Sequence, residues 1–476
     1  MQNIQRNIVF RSDDGLDTQG SIIRLALQTV VFEVPNPTVT LRLSQVLEGF
    51  KVLTGDAALY TGRAVVRNLI HTGHTVVCEA ALDHSLDHAL LDAASAHQQG
   101  GYWQARFEEF VQGWQREYRV LPEFKSVIAD MQSFLEELRI WLDRLETQIQ
   151  SLPKDDAARL EQSVISELKE PVTRAIDSFV DPFEDIASRL VGEMEAVHRI
   201  HLRRQLHPLL LTSPFAYRTY TKPLGYAGDY EVVDMMLRPP DEGKTLFAKM
   251  INIWLVGQAP AEAHRNRVAY LVRKLVEETL RVSAAGRRAH IFNLGCGPAE
   301  EVGRFLNTEA VSDFADMTLL DFNEETITQL RRKLDHLRVT RRPRARFEVI
   351  RKSVQQVLKD ASRAIKNESR PNYDFVYCAG LFDYLTDPVC KHLMNVFYDM
   401  LAPEGLLVAT NVSDAMNQTR PFRYSMEYML DWHLIYRDGV GFRKLAPDKA
   451  PSDAIVCMSD TTGVNVFIEV RKPRHG

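Results

Sequence analysis

The sequence predicts an α/β protein: a mostly parallel, seven-stranded, doubly wound sheet closed by an antiparallel hairpin, preceded by a helical region and a small β domain. Three observations carry that expectation. Residues 290–472 alternate short apolar runs with amphipathic stretches, the pattern of successive strand–helix units. The chain then closes with "DAIVCMSDTTGVNVFIEVRK", two strand-like runs around a Gly-containing turn, which reads as a hairpin. Residues 100–210 instead repeat apolar positions at steps of three and four. With 476 residues the chain exceeds one ordinary core, so two or three domains are expected. The pattern divides it at 1–95, 96–210 and 211–476.

In the first region, "SIIRLALQTVVFEV" (21–34) and "AVVRNLIHTGHTVVCEAAL" (64–82) are rich in β-branched residues, and "PTVTLRLSQVL" (37–47) alternates apolar with polar residues. Strands without intervening helices point to a small antiparallel barrel or sandwich. The second region reads as several packed helices, with Pro171 and Pro182 marking breaks or kinks. Its aromatic and leucine stripes suit core packing. Helices of that length could form a homodimer interface or wall an active site. In the third region, "HIFNLG", "MTLLDF", "ARFEVIR", "YDFVYCAG" and "GLLVATNV" are five strand candidates at the spacing of successive βα units.

Composition narrows the class. The net charge of −5 argues against a nucleic-acid partner. No apolar run reaches the roughly 20 residues of a membrane span, and the first residues carry no signal-peptide pattern. Cys78, Cys296, Cys378, Cys390 and Cys457 are scattered without a CxxC pair, so neither a disulfide framework nor a structural metal site is expected, and a reducing cytoplasm is the expected compartment.

The chemistry begins at "HIFNLGCGPAEEVGRFL" (290–306), an apolar strand, a Gly-x-Gly turn and the start of an amphipathic helix. Gly295 and Gly297 permit a tight turn and a close approach by a ligand. Asp321 follows 26 positions after Gly295, at the end of the next strand, where a carboxylate can accept both ribose hydroxyl protons. The ordinary alternative for Asp321 is a turn or helix cap. A dinucleotide site wants a third glycine where Glu300 stands, and Glu300 and Glu301 would repel a phosphate at the helix start. A cofactor with ribose hydroxyls, no phosphate and a cationic end fits better, and S-adenosylmethionine has that description.

On these residues the segment 290–412 resembles a class I S-adenosylmethionine-dependent methyltransferase of Rossmann-like fold. "FNLGCGPAEE" is similar to its first motif, "LLDFN" to the acidic ribose motif and "FEVIRKSVQQVL" to the adenine-side segment. "YDFVYCAGLFDYL" and "MLAPEGLLVATNV" are similar to the fourth and fifth strands. The resemblance implies cofactor contacts from Asn293, Gly295, Cys296, Gly297, Asp321, Phe322, Ser353, Val354, Ala379 and Gly380. Asn293 and Ser353 stand where the family carries acids.

Two aromatic-rich segments lie outside that core: "SPFAYRTYTKPLGYAGDYEVVDMML" (213–237), which has the make-up of a substrate or cofactor lid, and "NVSDAMNQTRPFRYSMEYMLDWHLIYRD" (411–438). With "AGLFDYLTD" they resemble, over about residues 200–472, a bacterial family assigned to biosynthesis of 3-hydroxypalmitic acid methyl ester, a diffusible quorum-sensing signal. That resemblance implies methylation of a small-molecule carboxylate. The N-terminal strands resemble a degenerate PilZ-type barrel, a cyclic-di-GMP fold, without its paired arginines or its Asp-x-Ser-x-x-Gly element, so nucleotide binding is not expected there.

An ionised carboxylate needs no general base. Arg437 or Arg423, with Tyr226 or Tyr230, would orient it, because a guanidinium fork matches a carboxylate. An amine or hydroxyl acceptor would need His433, Asp229 or Glu427 as a base. Packing is the ordinary reading for His433, taken as a helical residue beside Trp432, and for Cys296; solvation or capping is that for His392. Two rivals stand beside the small-molecule reading: an N- or O-methyltransferase of another metabolite or peptide, and a non-catalytic cofactor-binding regulator.

Overall fold

The computed structural model describes residues 6–11, 17–26, 28–35, 41–54, 57–71, 75–83, 107–108, 111, 120–366, 372–413 and 420–474. Most of the expected helix over 100–119 and residues 414–419 of the second aromatic segment lie outside the described residues. The chain forms two compact units, each discontinuous in sequence. The first comprises Met1–Ala227, Asp241–Leu255 and Arg423–His433; the second comprises Gly228–Pro240, Val256–Phe422 and Leu434–Gly476.

The first unit opens with β1 (Arg6–Arg11), β2 (Asp17–Leu25), β3 (Thr29–Pro35), β4 (Val46–Thr54), β5 (Ala57–His71) and β6 (Thr75–Leu82). They close into an antiparallel barrel of order β1-β2-β3-β6-β5-β4, sealed by the β1–β4 pairing. Alternation sets the interior: Ile8 and Phe10, Val30, Phe32 and Val34, Phe50 and Val52, and Val76, Cys78 and Ala80 all point inward. The Phe10, Phe32 and Phe50 rings meet at 5.7–6.2 Å between centroids. The barrel alternative is therefore the one adopted. The run 21–34 forms a hairpin, turned by reciprocal backbone bonds between Ala26 and Thr29. Of the run 37–47, residues 37–40 lie outside the described residues, 41–45 are not strand, and strand begins at Val46. Before it, Ser44 takes a left-handed φ of 57° and the Gln45 side chain accepts from Arg42 N, so a local turn wins over alternation.

Three long helices follow: α1 (Pro122–Gln150), α2 (Lys154–Ser188) and α3 (Glu193–Leu210). Phe124, Ile128, Met131, Leu135, Leu142 and Ile149 bury one stripe of α1. Of the expected breaks or kinks at Pro171 and Pro182, no break occurs, because α2 runs through both. An interior proline costs about 3 kcal/mol, and here Val172, Ile176, Val180 and Phe183 stay buried across the two sites. Burying such side chains contributes roughly 1.5–3 kcal/mol each, enough to outweigh the lost backbone bonds. The unit is completed by α4 (Pro214–Thr221), α6 (Leu246–Val256) and α12 (Arg423–Met429). Glu184 of α2 accepts from Tyr424 N and Ser425 N at the start of α12, at 3.0 and 2.6 Å.

A buried carboxylate joins these parts. Asp431, just beyond α12, receives Arg203 of α3 at 2.7 Å, Lys222 at 3.1 Å and Arg67 of β5 at 3.5 Å. Burial alone would raise its pKa, but Lys222 and Arg203 outweigh that and hold it well below the usual carboxylate range.

The second unit contains α5 (Tyr230–Leu237), α7 (Ala259–Ser283), β7 (Ala289–Leu294), α8 (Glu300–Thr308), β8 (Ala315–Asp321), α9 (Glu324–Thr340) and β9 (Arg346–Arg351). It continues with α10 (Val354–Lys366), β10 (Tyr373–Cys378), α11 (Asp387–Met400), β11 (Leu401–Val412), α13 (Gly439–Arg443), β12 (Ile455–Ser459) and β13 (Asn465–Arg471). Its seven strands lie in the order β12-β13-β11-β10-β7-β8-β9. The five from β11 to β9 are parallel and β13 runs antiparallel to both β11 and β12, as the alternation and the closing hairpin predict. Two apolar clusters, one around Phe292, Phe382 and Phe397 and one around Leu275, Phe305 and Tyr377, make its core. Among the described residues no helix is long and apolar enough to cross a membrane.

Removing the charge at Asp431 leaves Lys222, Arg203 and Arg67 buried without their counter-ion. Asp431→Asn is expected to destabilise the first unit by about 3–5 kcal/mol, read by denaturant unfolding. The folded pKa lies below the unfolded value of about 3.9, so this contribution is complete above that pH and is lost as pH falls through the folded value. The gap between wild type and variant should therefore close only below about pH 4.

Candidate functional site

In the second unit the strand order reverses between β7 and β10: β8 and β9 extend to one side, β11 to the other. A sheet of this kind leaves a crevice at the carboxyl ends of the strands at such a switch point. Asn293 to Gly297 end β7, Asp321 and Phe322 end β8, Ser353 and Val354 follow β9, and Ala379 and Gly380 follow β10. All ten residues singled out for the cofactor thus fall along one edge of four adjacent strands.

The turn after β7 is pinned from the neighbouring strand. Gly295 N and Cys296 N both donate to Leu320 O, and Gly297 N donates to Asp321 Oδ2 at 3.0 Å. Gly295 and Gly297 have φ of 71° and 51°, a left-handed backbone that disfavours other residues. A Cβ on Gly297 would meet no atom within 4 Å, so that side of the turn is open to a ligand. Asp321 Oδ1 accepts from Asn323 N at 3.0 Å. With one oxygen on each amide, the side chain serves as a clamp for the turn. Lys352 N donates to Asp321 O, drawing the end of β9 to the same place. Ser353 and Gln356 exchange side-chain and backbone bonds at the start of α10, and Val354 is buried beside them.

Below the turn is a polar cluster that local sequence did not reveal. Asn293 Nδ2 donates to Glu301 Oε1 at 3.4 Å, and Tyr377 Oη donates to the same oxygen at 2.8 Å. Burial pushes the Glu301 carboxyl up, while Asn293 Oδ1 is buried without a hydrogen-bond partner. An orphaned buried acceptor costs about 1–3 kcal/mol and suits a site that receives a donor. Glu301 was readable only as a helix-dipole residue in "GPAEE"; its bonds depend on β10 lying beside β7. Glu300, one residue earlier, is held by Lys333 and Arg304 at 2.5 and 3.0 Å, and against the effect of burial these keep its pKa low. Burial pushes the Cys296 thiol up, consistent with packing.

The acceptor-side candidates are distributed over the two units. Each aromatic segment is divided between the units: Tyr226 and His433 belong to the first, Asp229, Tyr230 and Arg437 to the second. Asp229 caps α5, its Oδ1 accepting from Glu231 N and Val232 N. Tyr230 donates to Glu325 at 2.8 Å and lines a cleft of about 800 Å³ with Pro298 and Glu300. It therefore stands on the Asp321 side of the edge. His433 lies outside any helix, contrary to expectation, 3.4 Å from Asp431 Oδ1; burial, with Arg199 and Arg67, pushes its pKa down to about 3. Arg423 pairs with Glu427 at 3.0 Å. Arg437 spends all its donors internally: Nε and Nη2 on Asp387, Nη1 on Phe382 O and Asn411 Oδ1, and Nη2 again on Leu385 O. It ties the loop after β10 to the end of β11, which is a positioning role and leaves no N–H for a carboxylate ligand.

No family model matches the sequence, and no curated protein matches it. Among solved structures, a possible exported protein from Bordetella parapertussis aligns at 14% identity, covering 66% of this chain and 97% of its own, with a TM-score of 0.43. Magnesium protoporphyrin IX methyltransferase from Synechocystis PCC 6803, with bound SAH, aligns at 11% identity over 46% of this chain and 87% of its own, TM-score 0.32. An O-methyltransferase family protein from Burkholderia thailandensis aligns at 12% identity over 59% and 72%, TM-score 0.32.

Two outcomes follow from these geometries. Arg437→Met strands two carbonyls and Asn411, and is expected to cost about 2–3 kcal/mol in unfolding free energy; the exposed Asp387 adds little. The His433 imidazole should stay neutral down to about pH 4 in an NMR titration. Because the unfolded state takes up that proton near pH 6.5 and the folded state only near 3, this histidine lowers stability as pH falls between them.

Proposed function

We propose that the chain is an S-adenosylmethionine-dependent methyltransferase of the class I fold that methylates a small-molecule carboxylate, a fatty or hydroxy acid, to a methyl ester. The observation that carries the donor half is the Gly295–Gly297 turn held by Asp321 at the switch point, open where a Cβ on Gly297 would lie. The donor set fits this cofactor. Asp321 places a carboxylate at the end of β8 where ribose hydroxyls would be taken, Val354 offers an apolar face for the base, and Asn293 Oδ1 needs a donor. A pyrophosphate would face Glu300, which Lys333 and Arg304 keep ionised at the helix start.

When bound, the cofactor supplies an electrophilic methyl group on a sulfonium, and the protein's task is to position the nucleophile and exclude water. Each side chain considered as a base is committed elsewhere. His433 holds its pKa near 3, Asp229 caps a helix, and Glu427 is paired with Arg423 while burial pushes its carboxyl up. A carboxylate acceptor is already ionised and requires none of them, which favours it over an amine or hydroxyl. Tyr230 walls the donor side, and Arg437 holds the loop after β10 against β11.

Titration calorimetry with S-adenosylhomocysteine tests the donor half: binding is expected, and Asp321→Asn should weaken it roughly 10- to 100-fold through loss of charge-assisted bonds. Absence of binding would sink the reading. Incubation with methyl-labelled cofactor and a bacterial metabolite extract tests the acceptor half. An alkali-labile label in a small product supports the ester, whereas an alkali-stable one overturns it.

A further inference from the structure

Arg267, on α7, lies 28 positions before Gly295 and in none of the motifs. Its guanidinium is stacked against the backbone of Gly380: a Cβ there would come within 2.9 Å of Nη1, 3.1 Å of Nη2 and 3.3 Å of Cζ. Gly380 has a φ of 88°, and its N–H donates to Thr410 Oγ1 at 3.1 Å, so this backbone is fixed where β10 ends. The would-be Cβ of Gly295 lies 3.3 Å from Leu381, the next residue. Arg267 therefore reaches the ends of β7 and β10, the two strands that flank the switch point.

Among the described residues the guanidinium has no counter-ion in contact, and its one hydrogen bond runs from Nη2 to His264 Nδ1, 2.6 Å away. The acids nearby are otherwise engaged: Glu301 takes Tyr377 Oη and Asn293 Nδ2, and Asp383 takes Val412 N at 2.6 Å. Burial pushes both of those carboxyls up, which weakens them as counter-charges, and it disfavours the charge on Arg267. A cation held deep in a site without a paired anion is costly. A planar fork with free N–H groups at the strand ends is also the geometry that takes a carboxylate in two bonds.

We propose that Arg267 is the carboxylate anchor of this site and that the group it holds is the carboxylate at the amino-acid end of the cofactor. The inference rests on the donor reading above. With the ribose placed on Asp321, at the end of β8, the cofactor's other end points across β7 towards β10, where Gly380 and Arg267 stand. That carboxylate is the cofactor's one anionic group. The acceptor's carboxylate has the same chemistry, so the two sources must be separated by experiment.

The test compares S-adenosylhomocysteine with its decarboxylated analogue, S-adenosyl-3-thiopropylamine, by titration calorimetry on the full chain. Wild type should bind the carboxylate-bearing ligand roughly 10- to 100-fold more tightly, the worth of hydrogen bonds to a charged group. In Arg267→Met the two affinities should converge, with the analogue's left nearly unchanged, and Arg267→Lys should restore part of the difference. Binding of the analogue reports that each variant is folded. Equal affinities in wild type overturn the proposal without any variant, as does a loss in Arg267→Met that falls on both ligands alike. A wild-type preference that survives in Arg267→Met overturns it too. Wild-type protein that binds neither ligand overturns the methyltransferase reading itself.

Discussion

The candidate site depends on one carboxylate. Asp321 is the last residue of β8, and with one oxygen it holds the Gly297 amide of the adjoining turn, with the other the Asn323 amide that leads into α9. Its own carbonyl accepts from Lys352 N at the end of β9. Three consecutive strand ends are thus referred to a single residue, and the glycine turn cannot drift without breaking a charge-assisted bond. The turn needs such an anchor because a left-handed backbone has many open conformations when it is made of glycine. What is a ligand position in the proposed enzyme is, in the protein alone, the joint that keeps the site in shape.

The first unit is organised around a second buried carboxylate, by the same physics at higher cost. Asp431 gathers cations from the barrel, from α3 and from the start of the 222–229 loop. Desolvating four charged groups is expensive, and the attraction among them repays it only when geometry is good. Such a hub contributes register more than net stability: it fixes where the segment after α12 sits against β5 and α3. The lysine and the aromatics around 220–230, which look from sequence like ligand-binding chemistry, are in part this structural network. Lys222 is fully buried in it, and Arg203 lies over the Tyr220 ring at 5.3 Å.

The strands of the second unit were legible because each is a short apolar run bounded by a turn residue. Asp321 was legible as a candidate because it stands at a strand end. Arg267, Tyr377 and Asp383 were not. Nothing near them in sequence distinguishes an arginine on an amphipathic helix from a solvated one; Arg267 comes against Gly380, and Tyr377 against Glu301, only because segments distant in the chain pack at the same edge. Arg437 misled for a related reason: its density of aromatic neighbours resembles a binding segment, while its five N–H groups are all spent inside the fold. At Pro171 and Pro182 the helix continues without a break, since a local penalty was overridden by burial on either side of them.

Local pattern therefore determined the kinds of element, their order, the parallel sheet with its closing hairpin, and the glycine turn with its acid. These depend on period, turn chemistry and strand ends, all of which are written within a few residues of one another. Tertiary structure alone decided the discontinuous make-up of the two units, which polar side chains are buried, and which cation has no counter-ion in contact among the described residues. Burial and pairing are set by residues distant in the chain, and at low dielectric they decide whether a charge is a strut or is left facing a ligand.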